Sequence, residues 1–262
     1  MDPLLKKLIL ESGNWLRTLK SVQKNPDSEN IHLFRLAIKQ LNTFSIVIQF
    51  PGKKDAHAKT FAFLNKCFQT AGIIRNAELQ LHRLSANSEI CLINLIQKNE
   101  RVHEKAKMKF IQLLESSNSS DLVKFQIAFS HEIEKLTSRQ FLLKLNKTFQ
   151  KNLKKLNKKT HQKSLRRNLH DMRIIIRRII EIMNFIGFFE KDKAFIEFNE
   201  WLKTLNKKIG NWHDAESLHL SLLRYLKKNM PFNNACYEIA DQLEIEMAFL
   251  EQEIENLLTN GL

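Results

Sequence analysis

Two short patterns in this sequence have the residue types and spacing to grip an anion. The first is His32-Leu33-Phe34-Arg35-Leu36-Ala37-Ile38-Lys39. The second is His170-Asp171-Met172-Arg173-Ile174-Ile175-Ile176-Arg177, with Arg178 beside it and Arg166 one turn before it. Arginine supplies forked donors for phosphate oxygens, and lysine a mobile point charge. A histidine donates from one ring nitrogen when neutral and from both when protonated. Like charges three and four residues apart cost a helix about 0.2–0.5 kcal/mol per pair. A bound polyanion would turn that repulsion into attraction. One such helix alone is as well explained by a solvated basic face with a structural histidine. Two copies speak against that.

Both patterns need a helix to bring their side chains into line. At about 100° per residue, Ile31, Phe34, Ile38 and Leu41 share one face, and His32, Arg35 and Lys39 gather on an arc roughly 110° away. The stripe therefore sits at the edge of the core. An offset of 138 residues carries His32, Arg35 and Lys39 onto His170, Arg173 and Arg177. The same offset, without a gap, carries Gly72, Ala77 and Glu78 onto Gly210, Ala215 and Glu216, and Asn76 onto Asp214. One offset serving two motifs predicts an internal duplication.

The elements read as helices throughout. Only 6 glycines and 4 prolines occur in 262 residues, a composition that argues against an all-β fold. With 43% hydrophobic and 27% charged residues, the chain should be globular and not disordered. Four helices are expected in each half. The first four run over Pro3 to Gln23, from Asp27-Ser28 to Phe50, from Asp55 to Leu84, and from Asn87-Ser88 to Glu115. Pro26 and Pro51-Gly52 mark breaks between them. The polar run Ser116 to Ser120 predicts the boundary, giving halves at residues 1–118 and 119–262. The second half should hold helices from Asp121 to Thr160, from Ser164 to Gly187, from Lys191 to Lys228, and from after Pro231 to Leu258. The expected fold is all-α, as two pseudo-symmetric four-helix bundles.

From Lys135 to His170 there is no Asp or Glu. Lys144, Lys147, Lys151, Lys154, Lys155, Lys158, Lys159, Lys163, Arg166 and Arg167 crowd this tract. Leu145, Phe149, Leu153 and Leu156 recur at helical spacing within it, so it should be a folded helix with a basic outer face. The whole chain has a formal net charge of +14. A fold does not need that excess, which points to a polyanionic partner.

At these residues the sequence resembles the CHAD family, helical domains named for conserved histidines. The family pattern is His-x-x-Arg-x-x-x-basic-basic on one helix, followed on the next by a Leu-Gly-x-x-Arg-Asp turn, both occurring twice. Here the second element reads Gly72-Ile73-Ile74-Arg75-Asn76 and Ile209-Gly210-Asn211-Trp212-His213-Asp214. The resemblance implies two four-helix bundles and binding of inorganic polyphosphate along a basic surface. It makes His32, Arg35, Lys39, His170, Arg173, Arg177 and Arg178 ligand contacts, with Arg75 as the turn arginine. Lys155, Lys159, Arg166 and Lys207 are further candidates from the basic helices. The sequence departs from the pattern at Gln40, at Asn76 and at His213, which stands where the first copy has Arg75. The second copy should bind the anion more strongly.

The expected function is non-enzymatic binding of polyphosphate or another polyanion along a continuous positive groove, with no cofactor and no metal. Nucleic-acid binding is the alternative, or a weak by-product, since the charge suits it but no helix-turn-helix, RRM or zinc-finger signature occurs. A metal-dependent HD-type phosphohydrolase is a further alternative, prompted by His170-Asp171 and His213-Asp214. Leu33 stands opposite Asp171 in the repeat, and nearby cations disfavour a divalent metal. A membrane-surface role would need a free apolar helix face. No signal peptide or membrane span is expected, and Cys67, Cys91 and Cys236 are expected as free thiols in a reducing compartment. The expected location is the cytoplasm, with association with polyphosphate granules left open.

Overall fold

A computed structural model describes residues 2–50, 57–85, 92–161, 164–187, 192–229 and 234–261. The described residues form helices and no strand: α1 (Pro3–Ser12), α2 (Asn14–Lys24), α3 (Ser28–Ile48), α4 (Ala58–Ser85), α5 (Ile93–Glu115), α6 (Ser119–Glu134), α7 (Ser138–Thr160), α8 (Leu165–Ile186), α9 (Lys193–Asn229) and α10 (Asn234–Gly261). The expected breaks at Pro51-Gly52 and Met230-Pro231 lie outside the described residues, as do the helix starts at Asp55, Asn87-Ser88 and Lys191.

Local chemistry sets the starts. Pro3 opens α1 while the Asp2 carboxylate accepts from the Leu4 amide at 2.8 Å. Asp27 caps α3 through the Asn30 amide at 2.7 Å, and Asn118 caps α6 through the Ser120 amide at 3.0 Å. Two helices expected as single rods are divided. Gly13 separates α1 from α2. Between α6 and α7, Thr137 and Gln140 form a capping box: the Gln140 amide donates to Thr137 Oγ1 at 3.2 Å, and the Thr137 amide to Gln140 Oε1 at 2.9 Å. At its other end, α3 closes on Gln49 in the left-handed region (φ 59°), and the Phe50 amide reaches back to Ser45 O at 2.9 Å.

The chain divides into two compact units that differ from the halves drawn at residue 118. Unit 1 is Met1–Glu78 with Glu100–Thr148, and unit 2 is Leu79–Asn99 with Phe149–Leu262. Side-chain contacts place α6 and the start of α7 in unit 1. Trp15 Nε1 donates to Gln126 Oε1 at 2.7 Å, and Lys144 Nζ donates to Ile48 O at 3.2 Å. Phe125 meets Trp15 edge-on with centroids 5.7 Å apart, and Phe50 lies 4.9 Å from Phe129.

The core of unit 1 buries Phe34, Phe44, Phe110, Phe125, Phe129 and Phe141. That of unit 2 is mainly aliphatic, with Leu169, Met172, Ile176 and Ile179 of α8 packed with Leu205, Ile209 and the aromatic Trp212 of α9 and Met247, Leu250 and Ile254 of α10. Burying such side chains contributes about 1.5–3 kcal/mol each. Cys67 is a free buried thiol. Cys236 is disulfide-bonded, which corrects the expectation that it is free, and Cys91 lies outside the described residues. Among the described residues no helix is long and apolar enough to cross a membrane.

Candidate anion-binding site

In unit 1 the first stripe lies on α3. Ile31, Phe34, Ile38 and Leu41 are buried, as the 3.6-residue period requires. His32 is exposed, and Arg35 and Lys39 are half-buried. Arg35 crosses α4: Nη1 donates to Phe68 O at 2.8 Å, and the guanidinium stacks 4.6 Å from the Phe68 ring centroid. A β-carbon at Gly72 would lie 2.6 Å from Nη1. The family's glycine therefore stands in mid-helix, not in a turn, and its missing side chain makes room for the arginine.

Arg75 sits one turn further along α4. Its Nη1 pairs with Glu78 at 3.2 Å, and Glu78 also accepts from Ser28 Oγ at 2.9 Å and faces His103 Nε2 at 3.5 Å. Although His32 is exposed, partial desolvation of its ring holds its pKa below the ordinary value, and Arg75, Lys39 and Arg35 push it the same way against Glu29. His32 thus feels three cations and one acid. Gln40, where the family pattern has a base, donates instead to Glu11 Oε2 at 2.9 Å.

In unit 2 the second stripe lies on α8. Arg173 lies against Gly210 of α9, where a β-carbon would be 3.1 Å from Nη2. Its Nε is buried without a hydrogen-bond partner among the described residues. His170, exposed, meets the His213 ring edge-on with centroids 5.4 Å apart. Burial, then Arg173 and His170, lower the His213 pKa. Not every candidate is unpaired. Arg166 is bound by Glu244 through Nη1 at 2.9 Å and by Glu251 through Nε at 3.5 Å. Lys159 Nζ binds Asp171 at 2.8 Å and Asn168 Oδ1 at 3.2 Å. Arg177 and Arg178 are half-buried, and Lys155 and Lys207 are exposed. Among the described residues no group of three or more His, Cys, Asp or Glu side chains is arranged to hold a metal ion.

A family model described as the CHAD domain matches residues 10–223. The chain belongs to the CHAD family. The CHAD chain is also similar to the crystal structure of the CHAD domain from the plant Ricinus communis, with a TM-score of 0.71 and 15% identity over 95% of this chain and 88% of that one. At that identity the likeness is one of fold. No curated protein matches the chain.

The basic tract of this CHAD chain is a helix, as its apolar period requires. On α7, Phe141, Leu145 and Leu156 are buried. Lys151, Lys154, Lys155 and Lys158 are exposed and make no ion pair among the described residues. Lys144 is not part of that outer row, since its ammonium holds a carbonyl at the end of α3. Lys163 lies outside the described residues. Arg166 and Arg75 are each neutralised by an acid, one far away in sequence and one near. Glu244 is 78 residues from Arg166, a separation at which no periodicity connects them. Glu78 is three residues from Arg75, the spacing at which helical side chains meet.

Proposed function

We propose that this CHAD chain binds inorganic polyphosphate, without catalysing a reaction on it. The observation that carries the reading is the outer row of α7. Lys151, Lys154, Lys155 and Lys158 stand at successive helical turns without acidic partners among the described residues, and no acid occurs in the helix. Such a row repels itself until a polyanion lies along it. In unit 2, Arg178 and Lys207 add cations without an ion pair among the described residues, and His170 and Arg173 stand beside His213. In unit 1, His32 with Arg35, Lys39 and Arg75 forms the corresponding cluster.

The Arg35–Gly72 and Arg173–Gly210 pairs share the offset of 138 residues that relates the two stripes. That agreement supports an internal duplication that has kept a fixed arginine in each copy. A nucleic-acid partner would favour aromatic stacking platforms among the cations. The exposed aromatic side chains among the described residues, Tyr237 and Phe249, both lie on α10.

The test is titration of long-chain polyphosphate into the protein over a salt series. Binding by phosphate contact and counterion release makes log K fall linearly with log salt, by about 0.7–0.9 per contact in nucleic acids. Absence of binding at low salt refutes the proposal.

A further inference from the structure

We infer that Glu244 and Glu251 of α10 compete with the anion for Arg166, so that this end of the α8 stripe opens only to a polyvalent phosphate chain. The inference rests on the polyphosphate reading above.

On α10 the buried positions Leu243, Met247, Leu250 and Ile254 face the core of unit 2. Glu244 and Glu251, seven residues apart, share one flank of that stripe. The fork of Arg166 meets the Glu244 carboxylate at both oxygens, Nη1 to Oε1 at 2.9 Å and Nη2 to Oε2 at 3.4 Å. Glu251 Oε1 lies 3.5 Å from Arg166 Nε and accepts from Trp212 Nε1 at 2.7 Å. The guanidinium also sits 5.9 Å from the Trp212 ring centroid. His219 Nδ1 is 3.6 Å from the outer Glu244 oxygen. The two carboxylates therefore stand where the oxygens of a phosphate would bind.

The clamp is built to be displaced. Arg166 and Glu244 side chains are 43% and 47% exposed, and ion pairs that open to water are weak. Two tethered carboxylates still present a high effective concentration to Arg166. A lone orthophosphate has no other hold and loses to them. A chain already seated on neighbouring cations of the stripe gains the same tethering advantage and can replace them. The acids thus set a minimum valence for the ligand.

The experiment titrates orthophosphate, tripolyphosphate and long-chain polyphosphate into the full chain, the E244Q/E251Q variant and a D241N/E255Q control. Asp241 and Glu255 are exposed acids of α10 with no ion pair among the described residues, so the control makes the same change in net charge. E244Q alone, which leaves the Trp212 acceptor in place, guards against a folding defect. E244Q/E251Q is expected to tighten tripolyphosphate about tenfold, and long chains less, from the release of one exposed and one half-buried pair. The ratio of long-chain to short-chain affinity then falls, and adding R166A removes the gain. The control should shift all ligands alike and by less. A wild-type chain that binds no phosphate chain refutes the function. A wild-type chain that binds, with E244Q/E251Q matching the control or keeping its gain after R166A, refutes the clamp alone.

Discussion

Arg35 crosses α4 at Gly72, where a β-carbon would stand 2.6 Å from the guanidinium Nη1. Replacing Gly72 by Ala raises helix propensity by about 1 kcal/mol and expels the guanidinium from its charge-assisted bond to Phe68 O, which costs about 1.5–3 kcal/mol. The loss outweighs the gain modestly in stability and more heavily in function. Gly72→Ala should lower the unfolding free energy by about 1 kcal/mol. Polyphosphate affinity should fall several-fold, because Arg35 no longer has a fixed position. Denaturant unfolding and titration on the same preparation check both halves.

His32 should make polyphosphate binding depend on pH. Partial desolvation and the neighbouring Arg75, Lys39 and Arg35 hold its pKa below the ordinary value of 6.5 in the free protein. A bound phosphate chain offsets that field and raises it. Affinity is then constant above the bound-state pKa, rises as pH falls through it, and levels off below the lowered free-state pKa. Proton uptake on binding is the expected outcome. His32→Gln should flatten part of this response, which a pH series of titrations measures. An unchanged pH profile in the variant would count against His32 as a contact.

The outer row of α7 separates binding from stability. Changing Lys151, Lys154, Lys155 and Lys158 together to Gln removes the like-charge neighbours 147–151, 151–154, 151–155, 154–158, 155–158 and 155–159. The gain should be about 2 kcal/mol of stability. The same variant should bind polyphosphate more weakly and with a salt slope shallower by about 3. A variant that is both less stable and undiminished in binding would mean that the row is structural.

The link between α6 and α7 depends on a reciprocal cap. Thr137→Ala removes the acceptor for the Gln140 amide, at 3.2 Å, and should cost about 1 kcal/mol. Polyphosphate affinity should stay unchanged. Thermal unfolding followed by circular dichroism reads the loss.

What the sequence shows and what it hides follow from the range of the interactions. The helical period placed Ile31, Phe34, Ile38 and Leu41 in the core, and all are buried. It also made α7 a basic helix with an apolar inner face. The capping box at Thr137 and Gln140 is written in four consecutive residues, yet no proline or glycine accompanies it to stop the apolar pattern. Leu8 and Trp15, both buried, continue an apolar face across Gly13, so the apolar pattern does not mark the break there. The two units are set by long-range packing, such as Trp15 on Gln126, so a polar run at Ser116 to Ser120 does not mark their boundary. The stripe was legible as charge. Its pairing at Arg166 with Glu244, 78 residues away, was not. The arginine–glycine crossing was legible only as a repeated spacing.

The central claim is tested most directly by competition among long-chain polyphosphate, single-stranded DNA and duplex DNA for this chain at about 0.15 M salt, where counterion release no longer masks selectivity. Polyphosphate should displace both nucleic acids at concentrations matched by phosphate. Equal affinity for all three would reduce the surface to a general polyanion binder, and preference for either DNA would contradict the account.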